Sequence, residues 1–283
     1  MSDAGTGFSA AWLDRREPAD HRSRNRKLAH ALARHFDGWR PVSVVDLGCG
    51  TGSNLRATAP LLGPEQHWTL VDLEQGLLDA AALRLAAWAD GSDWKDGRLV
   101  LFKGAKRISV ELKRADIAGD LAGALGPGAN LVTASALFDL ASAAFIADLA
   151  AAVAERKSAF YTVLTYDGDQ RWMPEHEADA EMVDAFHVHQ MRNKGFGPAA
   201  GPEAPDALTE AFALRGYAVS EGDSAWRLGA GDEALIAELA RGFAEAVAET
   251  GLVDAATVAA WRSVIRTEAV VGHADTLALP PPG

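Results

Sequence analysis

The chain has 283 residues, 48% of them hydrophobic and 23% charged, which suits one large α/β domain with insertions or a domain plus a small lobe. A formal net charge of −12 argues against a nucleic-acid partner, which calls for a basic face, and the single cysteine, Cys49, excludes an internal disulfide and a cysteine zinc site. No uncharged apolar run reaches the roughly 18 residues of a membrane span, and residues 1–11 carry no basic-then-apolar leader. The expectation is a cytoplasmic protein, monomer or homodimer, with no membrane partner.

Residues 1–40 stand outside any strand–helix alternation and are expected to form a helical cap. Within them 8–14 is amphipathic, Arg15-Arg16-Glu17-Pro18 is a predicted break, and 20–36 resumes a helix with Arg22, Arg24, Arg26 and Lys27 on its first turns. The run Val42-Ser43-Val44-Val45-Asp46-Leu47-Gly48-Cys49-Gly50-Thr51-Gly52-Ser53-Asn54 is an apolar strand passing into alternating glycines. Without side chains there, the backbone turns tightly and a ligand can press against it. The dinucleotide fingerprint G-x-G-x-x-G would place its last glycine at 53, which is Ser53, so the pattern turns away from NAD. Residues 54–62 read as a crossover helix whose first N–H groups face the ligand. Trp68-Thr69-Leu70-Val71 is the next strand and ends on Asp72 and Leu73, where an acid about 20 residues past the turn can take both hydroxyls of a ribose.

In these residues the chain resembles the class I S-adenosylmethionine-dependent methyltransferases, whose first motif is a strand followed by (D/E)-x-G-x-G-x-G. Asp46, Gly48, Gly50 and Gly52 match it position for position, and the resemblance is specific over 41–167. It implies an α/β fold with a doubly wound Rossmann-like sheet, mostly parallel with an antiparallel last strand. It also implies S-adenosyl-L-methionine as cofactor and S-adenosyl-L-homocysteine as product. The implied cofactor residues are Asp46, Gly48, Cys49, Gly50, Asn54, Asp72 for the ribose, Leu73, Asp116 and Ile117 for the adenine, and Ser135. A donor carboxylate needs a cation, for which Arg22 is expected, with Arg16 and Arg26 also candidates by position.

Further along, 77–89 is an alanine-rich helix closed by Asp90-Gly91-Ser92-Asp93, and 99–103 with 108–114 form a hairpin whose second half is the third core strand. Asp116 follows it, with Asp120 as a rival; 121–125 is a short helix and 130–135 the fourth strand. Ser135-Ala136-Leu137-Phe138-Asp139-Leu140 leaves that strand's carboxyl end, where ligands of open α/β sheets bind. The resemblance places a (D/N)-P-P-(Y/F) signature here in nucleic-acid amino methylases, and the chain lacks it. Asp139 reads equally as a base or anchor and as a plain helix-start acid.

The fifth strand is expected over 159–165, with Tyr166, Asp167 and Trp172 spilling from its end toward the cleft. The window 186–198 gathers His187, His189, Asn193 and Lys194, readable as a polar acceptor pocket or as a structured helix end. Two histidines at i and i+2 point apart on a helix, so no metal site is expected. A helix over 207–214, a sixth strand over 217–221, two helices over 232–249 and 254–267, a last strand over 269–272 and a stiff tail over 278–283 complete the chain. Leu235, Ile236, Leu239, Phe243 and Val247 are spaced for one buried helical face. The domain is therefore expected over 41–283, with lid or acceptor insertions at about 168–206 and 230–267.

The expected activity is methyl transfer from S-adenosylmethionine to a small polar acceptor, a nitrogen or oxygen nucleophile, by in-line displacement. Asp139, Tyr166 and His189 are the catalytic candidates; Asp167, Trp172, His187, Asn193 and Lys194 are the substrate-binding ones. A protein or peptide methyltransferase, a non-catalytic cofactor-binding module and an NAD-dependent reductase are the alternatives.

Overall fold

The computed structural model describes residues 8–281; residues 1–7 of the expected cap and 282–283 of the expected tail lie outside the described residues. Two helices lead: α1, Ala10–Ser23, and α2, Arg26–His35. β1 (Val42–Leu47), α3 (Ser53–Thr58), β2 (Glu65–Asp72), α4 (Gln75–Trp88), β3 (Gly91–Lys95), β4 (Arg98–Lys103) and β5 (Lys106–Arg114) follow. Then come α5 (Leu121–Leu125), β6 (Leu131–Ser135), α6 (Ala143–Glu155), β7 (Ala159–Met173), α7 (Asp179–Gln190) and α8 (Ala204–Ala213). β8 (Ala218–Asp223), β9 (Trp226–Leu228), α9 (Glu233–Thr250), α10 (Ala255–Ser263) and β10 (Glu268–Leu279) complete it.

All strands join one sheet in the order β3-β4-β5-β2-β1-β6-β7-β10-β8, with β9 paired to β10. β5, β2, β1, β6 and β7 run parallel, and β10 lies antiparallel between β7 and β8. This is the doubly wound, mostly parallel sheet with an antiparallel last strand that the sequence led us to expect. Strand order reverses between β1 and β6, which opens a crevice at their carboxyl ends.

Apolar cores fill both faces. Phe160 points into one with Leu149 and Phe212, and its neighbour Tyr161 into the other with Leu32 and Leu55. The fully buried start of β7, Ala159–Tyr166, has cover on both sides; beyond it the strand alternates in and out because only one face is packed.

Several boundaries differ from expectation. α1 runs through Pro18, and the break falls at Asn25, whose Oδ1 accepts from the N–H groups of Lys27 and Leu28 to cap α2. β3 occupies the predicted helix stop at 90–93; it is an exposed edge strand without an apolar face to signal it. β7 continues to Met173 and β10 extends over 268–279, because the two pair along their length and supply each other's hydrogen bonds. The expected tail thus begins as strand: Ala278 opposes Phe160. Asp275, at a register shift of β10, accepts from the N–H of Asn25 at 2.7 Å and so fastens the start of α2 to the sheet.

Candidate active site

Gly48, Gly50 and Gly52 all take positive φ, at 62°, 52° and 77°, so the loop after β1 folds into a tight turn open to few other residues. The turn is held from its side by β2. Cys49 N–H donates to Val71 O at 3.0 Å, and Gly50 N–H donates to Asp72 Oδ2 at 2.9 Å. Asp72 Oδ1 accepts from Glu74 N–H at 3.0 Å, and burial raises its pKa despite those bonds. Burial also pushes the Cys49 thiol up.

Asp46 and Asn54 serve the loop differently from the expectation of direct ligand contact. Their exposures are 0% and 2%, which seals both side chains beneath the turn. Asn54 Nδ2 donates to Asp46 Oδ1 at 2.7 Å and to Thr133 Oγ1 on β6 at 3.0 Å, while its own Oδ1 accepts from Arg24 Nη2 at 2.8 Å. Arg24 also donates to Thr58 Oγ1 at 2.9 Å. The remaining Asp46 oxygen makes no hydrogen bond, and burial pushes its pKa to about 7.

Around the turn, Leu73 is 52% exposed, Ile117 is buried and Ser135 half-buried at the end of β6. Asp120 caps α5 by accepting from Gly123 N–H at 2.8 Å, and Asp116, the exposed acid next to Ile117, accepts from Ala118 N–H at 3.0 Å. Helix α1 lies across the loop. A Cβ on Gly50 would stand 2.9 Å from Leu13 Cδ1. Glu17 pairs with Arg56 at 2.5 Å, Asp14 with Arg84 at 2.5 Å, and His21 Nε2 lies 3.0 Å from Ser53 Oγ.

Beside the loop is a cleft of about 440 Å³. α1 contributes Trp12 and Arg16, the segment after β6 Ala136, Asp139 and Leu140, and β7 Leu164, Tyr166 and Gln170. Phe186, His189 and Lys194 enter from α7 and the turn after it, Trp226 from β9 and His273 from β10. Ala136 and Leu164 carry positive φ, 51° and 59°, costly for side-chain-bearing residues. Leu164 N–H donates to Asp275 Oδ1 at 2.9 Å, so the shifted register of β10 holds this conformation.

Asp139 is only 8% exposed, its Oδ1 makes no hydrogen bond, and burial raises its pKa to about 6. Tyr166 Oη donates to Gly168 O at 3.2 Å and meets His187 Nε2 at 3.0 Å; burial raises its pKa. His189 Nε2 lies 3.1 Å from Glu249 Oε2 and its Nδ1 3.4 Å from Lys194 Nζ, and burial lowers the pKa of both His189 and Lys194. His273 packs on Trp226 and is held neutral, its pKa lowered to about 3 by burial and by Arg16. Arg16 is fixed by Asp20 at 3.0 Å and stacks over Trp226 at 5.0 Å.

The structure therefore brings Asp139, Tyr166, His189 and Lys194 together and corrects other expectations. Arg22 turns to Asp232 at 2.6 Å, so the cleft arginine is Arg16. Asp167 faces outward because β7 alternates there, accepting from Asp169 N–H at 3.0 Å. Asn193 is an exposed turn residue whose Oδ1 accepts from Gly195 and Gly197 N–H. Trp172 sits in an aromatic cluster with Phe243 and Trp261 and lines a smaller neighbouring hollow. His187 braces Tyr166 without lining the cleft. Trp12, Gln170, Trp226 and His273 went unforeseen; for His273 the available signal was a histidine inside a β-rich apolar run. Among the described residues no group of three or more His, Cys, Asp or Glu is placed to hold a metal ion, and no helix is long and apolar enough to cross a membrane.

No protein-family model and no curated protein matches the chain. Its structure is similar to that of a cyclopropane-fatty-acyl-phospholipid synthase-like protein from Lactobacillus casei, with a TM-score of 0.54 at 14% identity over 96% of this chain and 94% of that one. The fold is that of a class I methyltransferase. Two other solved structures align at a TM-score of 0.49. They are the cyclopropane synthase MmaA2 of Mycobacterium tuberculosis, 12% identical over 96% of this chain and 95% of that one, and the YcgJ protein of Bacillus subtilis, 9% identical over 91% and 100%. In the methyltransferase fold seen here, the glycine turn and the cleft lie side by side at the switch point of the sheet.

Proposed function

We propose that the chain transfers a methyl group from S-adenosylmethionine to a small polar acceptor, a nitrogen or oxygen nucleophile, held in the cleft. The observation that carries this reading is Asp72: it stands at the tip of β2, locked to Gly50 N–H at 2.9 Å, on the far side of β1 from the β6 end that borders the cleft. Each Asp72 oxygen accepts one backbone N–H and keeps a lone pair for a ribose hydroxyl. Gly48, Cys49 and Gly50 offer a backbone surface, closed where Leu13 packs directly on Gly50, Leu73 and Ile117 offer apolar faces for the adenine, Asp116 an acceptor for its amino group, and Ser135 a contact at the end of β6.

Bound there, the sulfonium supplies an activated methyl group. The chain's part is to position and to exclude water: Trp12, Leu140, Leu164 and Phe186 wall the cleft. Holding two reactants in line at about 3–3.5 Å is equivalent to an effective concentration of roughly 10⁵–10⁸ M, so little covalent help is required of the protein. Asp139 is placed to accept a proton, and Tyr166, buttressed by His187, to orient the acceptor. Residues 8–40 and the segments over 168–206 and 230–267 are cap and lid in this reading. The protein is taken to act in the cytoplasm on a small molecule, as monomer or homodimer, without nucleic acid or membrane.

Calorimetry with S-adenosylhomocysteine tests the donor half. Asp72→Ala is expected to weaken binding roughly 100-fold, the loss of about two charge-assisted hydrogen bonds, while the melting temperature moves by only a few degrees. Equal affinity of the variant and the unmodified protein would remove the ribose assignment. Mass-detected methylation of a metabolite extract tests turnover, and binding without any methylated product would refute catalysis.

A further inference from the structure

We infer that the methyl acceptor is an amine, anchored by the unpaired Oδ1 of Asp139, which takes the proton that the nitrogen gives up. The inference rests on the methyl-transfer reading of the same cleft and narrows its substrate class.

The geometry starts from one atom. Asp139 follows β6, is nine-tenths buried, lines the cleft and leaves Oδ1 without a hydrogen bond. A buried carboxylate oxygen left unpaired is costly, and a ligand that donates N–H or O–H removes that cost. The cations and the phenol that share the cleft are turned to other partners. Arg16, the nearest cation, is turned onto Asp20 and Trp226. Tyr166 donates to Gly168 O, and His273 on β10 is neutral and brings no positive charge to the carboxylate. Lys194 and His189 are engaged with each other, and His189 with Glu249, at the α7–α9 wall. These groups, from α1, β7, β10 and α7, complete the titratable and charged surroundings of Asp139 on the cleft.

Two features select nitrogen over oxygen. The cleft is walled by Trp12, Tyr166 and Phe186, whose ring faces attract an ammonium group and its methylated product. The second is proton affinity. A carboxylate titrating at about 6 lies roughly four units below an alkylammonium and roughly ten below an aliphatic hydroxyl, taken as close to water. Only the first gap is one a positioned base bridges readily. The ammonium passes a proton to Asp139 Oδ1 and becomes a free amine. The nitrogen lone pair then forms the new N–C bond as the C–S bond breaks with its electron pair moving to sulfur. A methylammonium, a neutral thioether and protonated Asp139 result.

Phenethylamine, phenethyl alcohol and phenylacetate present the three headgroups on one aromatic frame and serve as test ligands for calorimetry at saturating S-adenosylhomocysteine. The amine is expected to bind at least tenfold tighter than the alcohol at pH 7.5, and its affinity to fall between pH 7 and pH 5 as Asp139 takes up a proton. Asp139→Asn is expected to erase both the preference and the pH limb. An alcohol or carboxylate that binds as well as the amine overturns the inference, as does an amine preference that survives in Asp139→Asn. The ranking of the three ligands on the unmodified protein decides the matter even where the variant folds poorly. Binding of S-adenosylhomocysteine without amine preference overturns the amine assignment alone. Amine preference without S-adenosylhomocysteine binding instead overturns the methyl-transfer reading, and leaves Asp139 as an amine site.

Discussion

The glycine-turn half of the site is made from backbone, whereas the cleft half is made from side chains that the fold collects. Gly48, Gly50 and Gly52 supply their conformations within one short stretch, and Asp72 meets Gly50 N–H because β1 and β2 are adjacent parallel strands. The cleft instead draws Arg16, Asp139, Tyr166, His189 and His273 from separate elements spread along most of the chain. Backbone recognition is a local property of sequence. Side-chain recognition here depends on the register of β10 against β7 and on where α1 and α7 settle.

The sharpest way to break this comparison is to show that the glycine half also depends on buried side-chain chemistry. Asp46 holds a folded-state pKa of about 7 against 3.8 in a free chain, with burial as the main cause. Below pH 3.8 native and unfolded chains both carry its proton. Between 3.8 and 7 the unfolded chain loses that proton while the native one keeps it, so this group's contribution to stability falls as pH rises, and it is flat above 7. The full swing is on the order of 4 kcal/mol. Asp46→Asn retains an acceptor for Asn54 Nδ2 and introduces a pH-independent cost at the unpaired position. Urea unfolding midpoints at pH 5 and pH 8 are therefore expected to differ less in the variant than in the unmodified protein. Parallel profiles would exclude a buried, proton-bearing Asp46.

A smaller effect is expected from Arg24, which reaches from the end of α1 to Asn54 and Thr58 beneath the turn. Arg24→Met removes two hydrogen bonds while keeping the aliphatic stem, and is expected to cost about 1–3 kcal/mol in denaturant unfolding. It is also expected to weaken S-adenosylhomocysteine binding only a few-fold, because the turn's own φ angles remain. A loss as large as that of Asp72→Ala would mean that the turn is not self-supporting and that the two halves are built alike.

The legibility of the molecule follows the same line. β1, β6 and the parallel start of β7 are largely buried on both faces and β2 at its carboxyl end, so their apolar runs announce them, and Asp72 falls where the spacing places it. The outer half of β7 is mostly polar, with Asp167, Asp169 and Arg171, and β10 breaks its apolar run with Gly272, His273, Asp275 and Thr276; their pairing is long-range and leaves only a weak local mark. The expectation of Arg22 rather than Arg16 follows from the predicted break at 15–18, whereas the structure carries both on α1, where Arg22 turns to Asp232 and Asp20, buried behind Arg16, fixes Arg16 at the cleft. Asp139 was legible as a residue but not as a state, since its burial and unpaired oxygen arise only once β6, α1 and β7 are packed.

The smallest effect tests the cleft half through its backbone. Ala136 sits at φ 51° directly after β6, with its N–H donated to Val163 O at 2.9 Å, so the strand pairing imposes a conformation that a Cβ resists. Ala136→Gly removes that resistance and at the same time frees the unfolded chain. The two effects oppose each other, and at a left-handed position relief of strain is the larger. A gain of roughly 0.5–1 kcal/mol is expected, read as a rise in melting temperature. A fall would mean that the alanine methyl contributes more by packing against the cleft than its backbone costs, and the cleft would then be shaped by side chains even at a position whose backbone favours glycine.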